Sequence, residues 1–128
     1  NGCFYTDSTG KPTYSKYWPA STVASDAVAF VIDDPNVVFE AQEDSTNIGA
    51  SWPDNRGSNA DLVSTHSGST KTGRSGQELD SSSITAATAQ FRIVDVVSDE
   101  YNNETSSANG NYLVRINEGL HYANTAGI

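Results

Sequence analysis

The sequence has 128 residues, a length typical of one domain, and only 36% of them are hydrophobic. Ser, Thr, Asn, Asp and Gly are abundant, which suits short strands joined by many turns and disfavours a helical bundle. The net charge is −9, with only seven Lys and Arg, and such a surface repels phosphate, so direct binding to nucleic acid or to an anionic membrane is not expected.

The cysteine content and the length of the apolar runs exclude further classes of protein. Cys3 is the one cysteine in the sequence, which excludes a disulfide framework and a thiolate-rich metal site. No stretch approaches the roughly 18 consecutive apolar residues of a membrane span. The chain begins at Asn1 and contains no Met, which indicates a processed or partial chain.

The first predicted strands lie in the N-terminal third of the chain. Pro12–Trp18 has the aromatic residues of a short strand. Ala27–Ile32 is a continuous apolar run, long enough for a strand that is buried on both faces and too short for a typical helix. A turn is predicted at Asp33–Asn36 because Asp, Pro and Asn favour one. Val37–Gln42 alternates apolar and polar residues, and we expect it to form a hairpin with Ala27–Ile32.

Signals in the middle of the chain are weaker. Asn59–Ser64 and Gln77–Asp80 each predict a short strand. The stretch between them, His66–Gly76, is rich in Gly, Ser and Thr and predicts a flexible loop.

The clearest strand signals come last. Ala89–Val97 is rich in β-branched residues and Tyr112–Ile116 alternates, so we predict that the two pair as antiparallel strands. Their connection, Ser98–Asn111, is acidic and polar and is expected to project into solvent, with a tight turn at Asn109-Gly110. The predicted core residues are Phe39, Phe91, Ile93, Val114 and Ile116.

Together these elements predict an all-β fold, a single compact antiparallel β-barrel or sandwich with extended terminal segments. The corresponding division of the chain is an extended N-terminal segment at 1–24, a β-domain at 25–122 and a C-terminal tail at 123–128.

Residues that could carry catalysis are few. His66 and His121 are too scattered for a zinc site and are interpreted as surface or packing residues. Gly73-Arg74-Ser75-Gly76 lacks the spacing of a nucleophile elbow and follows no strong strand. The sequence therefore predicts a protein that is not an enzyme and that holds no metal or cofactor.

The many carboxylates leave two further kinds of site to weigh. A glycosidase-like acid pair requires a cleft and one raised pKa, whereas most acids here fall in predicted turns, which favours a solvated acidic surface. Calcium would suit the oxygen-rich turns, but neither of them has EF-hand spacing, and turn formation is the preferred interpretation. These turns contain Asp33, Asp34 and Asn36 in one case and Asp99, Glu100 and Asn102 in the other.

Three segments together resemble a family of structural proteins of marine and environmental tailed phages. They are Ala29–Gln42 (AFVIDDPNVVFEAQ), Gly76–Asp80 (GQELD) and Ala89–Tyr122, which contains AQFRIVDVV and YLVRINEGLHY. The resemblance implies a virion protein beside the major capsid protein, namely a capsid cement (head decoration) protein on the outer capsid surface. The implied partners are the major capsid protein and further copies of the chain, with no direct nucleic acid and no membrane.

Aromatic residues in the irregular terminal segments are the expected interface anchors. The predicted capsid or self-interface residues are Tyr5, Tyr14, Tyr17, Trp18, Leu120 and Tyr122. The alternative function is a carbohydrate-binding or adhesin-type β-domain on a virion or cell surface, and it requires a groove with coplanar aromatic rings, for which Trp18, Trp52 and Tyr17 are the candidates.

Overall fold

The computed structural model describes residues 2–45, 55–97, 109–119 and 126–127. The described residues form strands and one short 3-10 helix, Ser81–Ser83. The strands are β1 (Gly2–Thr6), β2 (Pro12–Ser15), β3 (Val28–Phe30), β4 (Phe39–Gln42), β5 (Asn59–Ala60), β6 (Leu62–Ser64), β7 (Gln77–Leu79), β8 (Phe91–Val96) and β9 (Asn111–Ile116). Within these ranges, no helix has the length and apolar character needed to cross a bilayer.

The strands form three antiparallel sheets with the orders β2-β1-β3, β4-β9-β8-β5 and β6-β7. The all-β, antiparallel prediction is confirmed. Of the two predicted architectures, the described strands fit a sandwich, and they do not close into a barrel.

The chain divides into two compact units. Unit 1 comprises Asn1–Asp33 and Gly68–Ser75, and unit 2 comprises Asp34–Ser67 and Gly76–Ile128. The β2-β1-β3 sheet belongs to unit 1, so the N-terminal part of the chain contains strands, and unit 1 extends beyond residue 24, the predicted end of the N-terminal segment.

The predicted pairing of the last two strands is confirmed, and it contains a β-bulge. Ile93 lies opposite Val114, but Asp95 is the next paired residue, opposite Leu113. Val94 is therefore the extra residue, and it shifts the alternation by one position. As a result, Phe91 and Ile93 before the bulge and Val96 after it all pack on the same core.

The core of unit 2 lies on this sheet face. Ile93 and Val114 are fully buried, as predicted, whereas Phe39 and Phe91 are half-buried and pack against the core. Ile116 is also half-buried. The prediction of burial was thus too strong for these last three residues, because they occupy the sheet's margins at the first residue of β4, the first of β8 and the last of β9.

Three further residues complete the core and were not predicted. They are Ala60, Leu79 and Tyr112, and all three are inaccessible to solvent. Tyr112 lies opposite Ala41 on β4 and Val96 on β8, so its ring is covered from both neighbouring strands. Burial of this kind contributes through the apolar area removed from water.

The predicted hairpin between Ala27–Ile32 and Val37–Gln42 is wrong. Strand β3 pairs with β1, whereas β4 pairs with β9. The prediction that Ala27–Ile32 is buried on both faces is also wrong, because each of its residues is exposed. The physical reason is competition for partners: Phe39 and Ala41 of β4 lie opposite the buried Val114 and Tyr112, a pairing that β3 does not offer.

Two predicted turns lie within the described residues. The Asp34 carboxylate accepts a hydrogen bond from the Asn36 amide at 2.8 Å, and the Val37 amide donates to the Asp34 carbonyl at 3.2 Å. Asn109 adopts a left-handed conformation, with φ of 60°, before Gly110 and the last strand. The preceding part of the long connection, 98–108, lies outside the described residues.

Candidate interaction surface

The turn of the β1–β2 hairpin in unit 1 has the sequence Asp7-Ser-Thr-Gly-Lys11. The Asp7 carboxylate accepts hydrogen bonds from the Thr9 amide at 2.8 Å, the Thr9 hydroxyl at 2.6 Å and the Lys11 amide at 3.1 Å. Gly10 supplies the positive φ, 82°, that this turn requires. The Thr9 hydroxyl, followed by the two amides, lowers the pKa of Asp7, so the carboxylate holds the turn in its ionised form.

Strand β1 has one buried and one exposed face, as the period of two in a strand requires. Cys3 and Tyr5 point to the buried face, and Phe4 between them points to the exposed face. The Tyr5 ring lies 5.3 Å from that of Trp18, centroid to centroid, at a tilt of 58°. Tyr5 therefore fills the inner side of this sheet and supports Trp18.

The exposed side of the β2-β1-β3 sheet is apolar. Phe4 lies opposite Tyr14 of β2 and Val28 of β3, and Phe30 of β3 follows on the same side. We call these four residues the apolar face, and each of them is between 41% and 58% exposed. Such a cluster of large apolar side chains on one side of a sheet is typical of a surface that contacts another molecule.

Gly2 allows the two outer rings of the apolar face to approach each other. Gly2 lies opposite Phe30, and a Cβ atom at this position would lie 2.6 Å from the Tyr14 hydroxyl oxygen. The Tyr14 and Phe30 rings are 6.5 Å apart, centroid to centroid, and tilted by 44°. Rings at this angle are not the coplanar pair that stacking on a flat sugar face requires.

The apolar face continues into an exposed edge. Strand β3 is the last strand of its sheet, and the exposed residues run on through Val31, at 74%, and Ile32, at 42%. The start of this segment is held by Asp26, whose carboxylate accepts hydrogen bonds from the Thr6 amide and hydroxyl. The segment is thus positioned by β1 while its side chains face solvent.

The predicted interface residues have different positions in the structure. Tyr14, Tyr17 and Trp18 are exposed, whereas Tyr5 is buried at 6%. Leu120 and Tyr122 lie outside the described residues, as does Trp52.

Phe4, Val28 and Phe30 were not predicted to lie at a surface. The signal that could have indicated them is the flanking of Ala27–Ile32 by Asp26 and Asp33, since acidic neighbours are more typical of an accessible strand than of a buried one.

A shallow depression of about 390 Å³ lies in unit 1, and its lining includes Tyr17, Ser69, Thr70, Arg74 and Ser75. The segment 68–75 was predicted to be a flexible loop, and it forms a hydrogen-bonded turn. The Ser69 amide donates to the Arg74 carbonyl at 2.9 Å, and the Gly73 amide donates to the Ser69 carbonyl at 2.7 Å. An aromatic ring beside hydroxyls and a guanidinium offers the groups that contact a sugar.

In unit 2 a hydroxyl, an imidazole and a carboxylate come together at Thr65, His66 and Glu78. His66 Nδ1 lies 2.9 Å from Glu78 Oε2, the Thr65 hydroxyl donates to the same oxygen, and the Thr65 oxygen lies 3.1 Å from Nδ1. In a nucleophilic relay the hydroxyl and the carboxylate contact different ring nitrogens. Here both contact Nδ1, so the arrangement is a hydrogen-bonded cluster of an exposed imidazole with a mostly buried carboxylate.

Four carboxylates among the described residues have a pKa that is shifted from its ordinary value, and all four shifts have the same direction. The pKa is lowered for each of Asp7, Asp26, Asp44 and Glu78, in every case first by a hydrogen bond from a hydroxyl or an amide. For Asp44 that donor is the Ser81 amide, at 3.0 Å. A general acid at neutral pH needs a raised pKa, whereas these four carboxylates accept hydrogen bonds within the fold that favour their ionised form.

The oxygen-rich turns do not form a metal centre among the described residues. Within them, no three His, Cys, Asp or Glu side chains are grouped so as to hold a metal ion. In the first candidate calcium turn, Asp34 caps the Asn36 amide. The second, at Asp99–Asn102, and His121 lie outside the described residues.

Comparison with protein-family models, with curated proteins and with solved structures finds no match to the chain.

Proposed function

We propose that this chain is a capsid cement protein, a virion structural protein that binds the major capsid lattice and neighbouring copies of itself on the outer surface of a phage head. The observation that carries the proposal is the exposure of Ala27–Ile32 together with the apolar face. The resemblance of three segments to tailed-phage structural proteins indicates that the assembly is the capsid of a phage head.

The exposure of these apolar side chains to water is unfavourable. Burial of apolar area is favourable by roughly 25 cal/mol per Å², and Val28, Phe30 and Val31 each leave more than half of their accessible surface in water. An apolar strand at the edge of a sheet also promotes aggregation. Covering this surface in an assembly offsets both disadvantages, and binding to the assembled lattice stabilises that lattice by linkage.

The charge of the chain supports a protein partner. A net charge of −9 disfavours packaged or released DNA as a ligand. A cement protein needs matched surfaces and no reactive groups, which agrees with carboxylates whose pKa values are lowered by structural hydrogen bonds.

The test uses phage heads from which this protein has been stripped. Adding back the wild-type chain should restore co-sedimentation with the heads and raise the temperature at which they release DNA. A double variant, Phe4→Ser with Phe30→Ser, should lose both effects because it removes two of the four side chains of the apolar face.

Val23→Ser is the matched control. Val23 is 91% exposed and lies outside the strands of this sheet, so its replacement should preserve both effects. Wild-type protein that leaves head stability unchanged would contradict the proposal.

The second candidate function, glycan binding, rests on the depression beside Tyr17 and Arg74. It predicts that immobilised glycans retain the wild-type chain and release the Tyr17→Ala and Arg74→Ala variants. Stripped particles would then remain as stable as before and would lose adsorption to cells, the opposite of the cement result.

A further inference from the structure

Strand β3 has one neighbour in its sheet. It pairs with β1 through Gly2↔Phe30, Cys3↔Ala29 and Phe4↔Val28. The sheet order ends at β3, and no described strand lies on its outer side. Because backbone amides and carbonyls alternate in direction along a strand, part of the backbone of β3 points away from β1 and is a template for a further strand.

This edge lacks the features that protect exposed edges. Soluble proteins place Lys, Pro or a bulge within an edge strand to prevent pairing with another chain. Val28–Ile32 contains no charged residue and no Pro, and the three residues of β3, Val28–Phe30, pair with β1 without a bulge. Charge occurs only at the two ends of the apolar segment, as Asp26 and Asp33.

The positions of these two acids argue against a second copy of the chain as the occupant. In an antiparallel pair of β3 strands centred between Ala29 and Phe30, Asp26 of each copy lies opposite Asp33 of the other. Like charges directly opposite each other are destabilising in a sheet. The net charge of −9 on each copy adds a longer-range repulsion.

We therefore propose that β3 accepts an extended strand from a partner protein, with alternating apolar residues between two basic residues seven positions apart. That spacing matches Asp26 and Asp33, which are separated by about 23 Å in an extended chain at roughly 3.3 Å per residue. The strand adds to the sheet by main-chain hydrogen bonds, and its side chains supply specificity. The proposal deepens the proposed function, since it rests on the same surface.

One alignment of a partner strand with residues 26–33 pairs its basic residues with both acids and its apolar residues with the apolar side chains. In the peptide Lys-Val-Thr-Val-Ser-Val-Thr-Lys, antiparallel pairing that places the lysines opposite Asp26 and Asp33 also places the valines opposite Val28, Phe30 and Ile32. Val28 and Phe30 belong to the apolar face, where they pair with Phe4 and Gly2 of β1. The apolar face would thus extend across the added strand.

The experiment measures binding of this peptide by ¹⁵N chemical shifts and by fluorescence anisotropy. The amides of β3 should shift and gain protection from hydrogen exchange. Val31→Lys, at a residue that is 74% exposed, should weaken binding about tenfold, because it places a positive charge within the apolar edge and close to the lysines of the peptide. Asp33→Asn should weaken it about threefold and reduce its salt dependence.

Val23→Lys introduces the same charge away from the sheet and should bind like wild type. A peptide with Glu in place of both Lys should bind at least tenfold more weakly, again through charge pairing. Equal binding of the two peptides, equal binding by Val31→Lys, or shifts outside β3 would overturn the inference. Dimerisation of the chain alone that Val31→Lys abolishes would replace the partner strand by a second copy.

Adding the Val31→Lys variant to stripped heads separates this inference from the proposed function. Heads that bind wild type and Val31→Lys equally refute strand addition and leave the cement function standing. A wild-type chain that binds the peptide at β3 but does not bind heads refutes the cement function and leaves strand addition standing.

Discussion

Thr6 donates two hydrogen bonds to Asp26, one from its amide to Oδ1 at 3.1 Å and one from its hydroxyl to Oδ2 at 2.5 Å. Thr6 ends strand β1, and Asp26 comes two residues before strand β3. The two bonds therefore fix the residues just before the edge strand β3 to the central strand β1. This contact is local, and it leaves the side chains of β3 accessible.

Thr6→Val should raise the pKa of Asp26 towards its ordinary value, because the Thr6 hydroxyl is the largest cause of the lowering. A lowered carboxyl pKa means that the contact stabilises the fold above the ordinary pKa of the carboxyl, and that this contribution is lost as pH falls through the lowered value. Titration of the carboxyl ¹³C shift checks the change. The Asp7 signal in the same spectra is the control, and an unmoved Asp26 pKa would refute the assignment.

Deleting Val94 should leave unit 2 folded. Val94 is the extra residue of the bulge, and its removal leaves Ile93, Asp95 and Val96 opposite the same partners in a regular ladder. Urea unfolding followed by circular dichroism measures the outcome.

Deletion of Leu113 on the facing strand is the matched control for Val94. It would place Tyr112 out of phase with Val114 and should abolish cooperative unfolding, since both are fully buried. Equal loss of stability in the two deletions would show that the bulge itself is required.

Ile93→Ala should destabilise the fold by about 2–5 kcal/mol, because it leaves a cavity opposite Val114 in the centre of the core. Urea unfolding gives the free energy of unfolding. Val38→Ala, at a residue that is 39% exposed, is the control and should change that free energy by less than about 0.5 kcal/mol. Similar losses in both variants would argue against the assigned core.

Thr65→Val should raise the pKa of Glu78. The Thr65 hydroxyl and then His66 lower that pKa by hydrogen bonding to the carboxylate. In wild type the cluster stabilises the fold above the ordinary carboxyl pKa and ceases to do so as pH falls through the lowered one. The carboxyl ¹³C titration of Glu78 measures the change, with Asp7, whose pKa is set by Thr9 and Lys11, as the internal control. A Glu78 pKa that changes only on replacing His66 would contradict the role of Thr65.

Local sequence predicted the strands that became β8 and β9 and the turn at Asp34, because β-branched alternation and Asx capping act within a few residues. It did not predict the bulge at Val94. An extra residue in one strand is defined only against the register of its partner, and that register depends on how Ile93 and Tyr112 reach the same core.

For the candidate surface, the sequence by itself determined that the apolar segment Ala27–Ile32 is bounded by acids and contains a strand, and that Tyr14, Tyr17 and Trp18 belong to the N-terminal region. Only the tertiary structure decided which of these side chains are accessible. Alternation sets which residues share a face, but burial of that face depends on which distant strand covers it. Strand β4 pairs with β9 and packs its apolar residues against the core of unit 2. Strand β3 is left at the edge of the β1 sheet, with its apolar side chains in water.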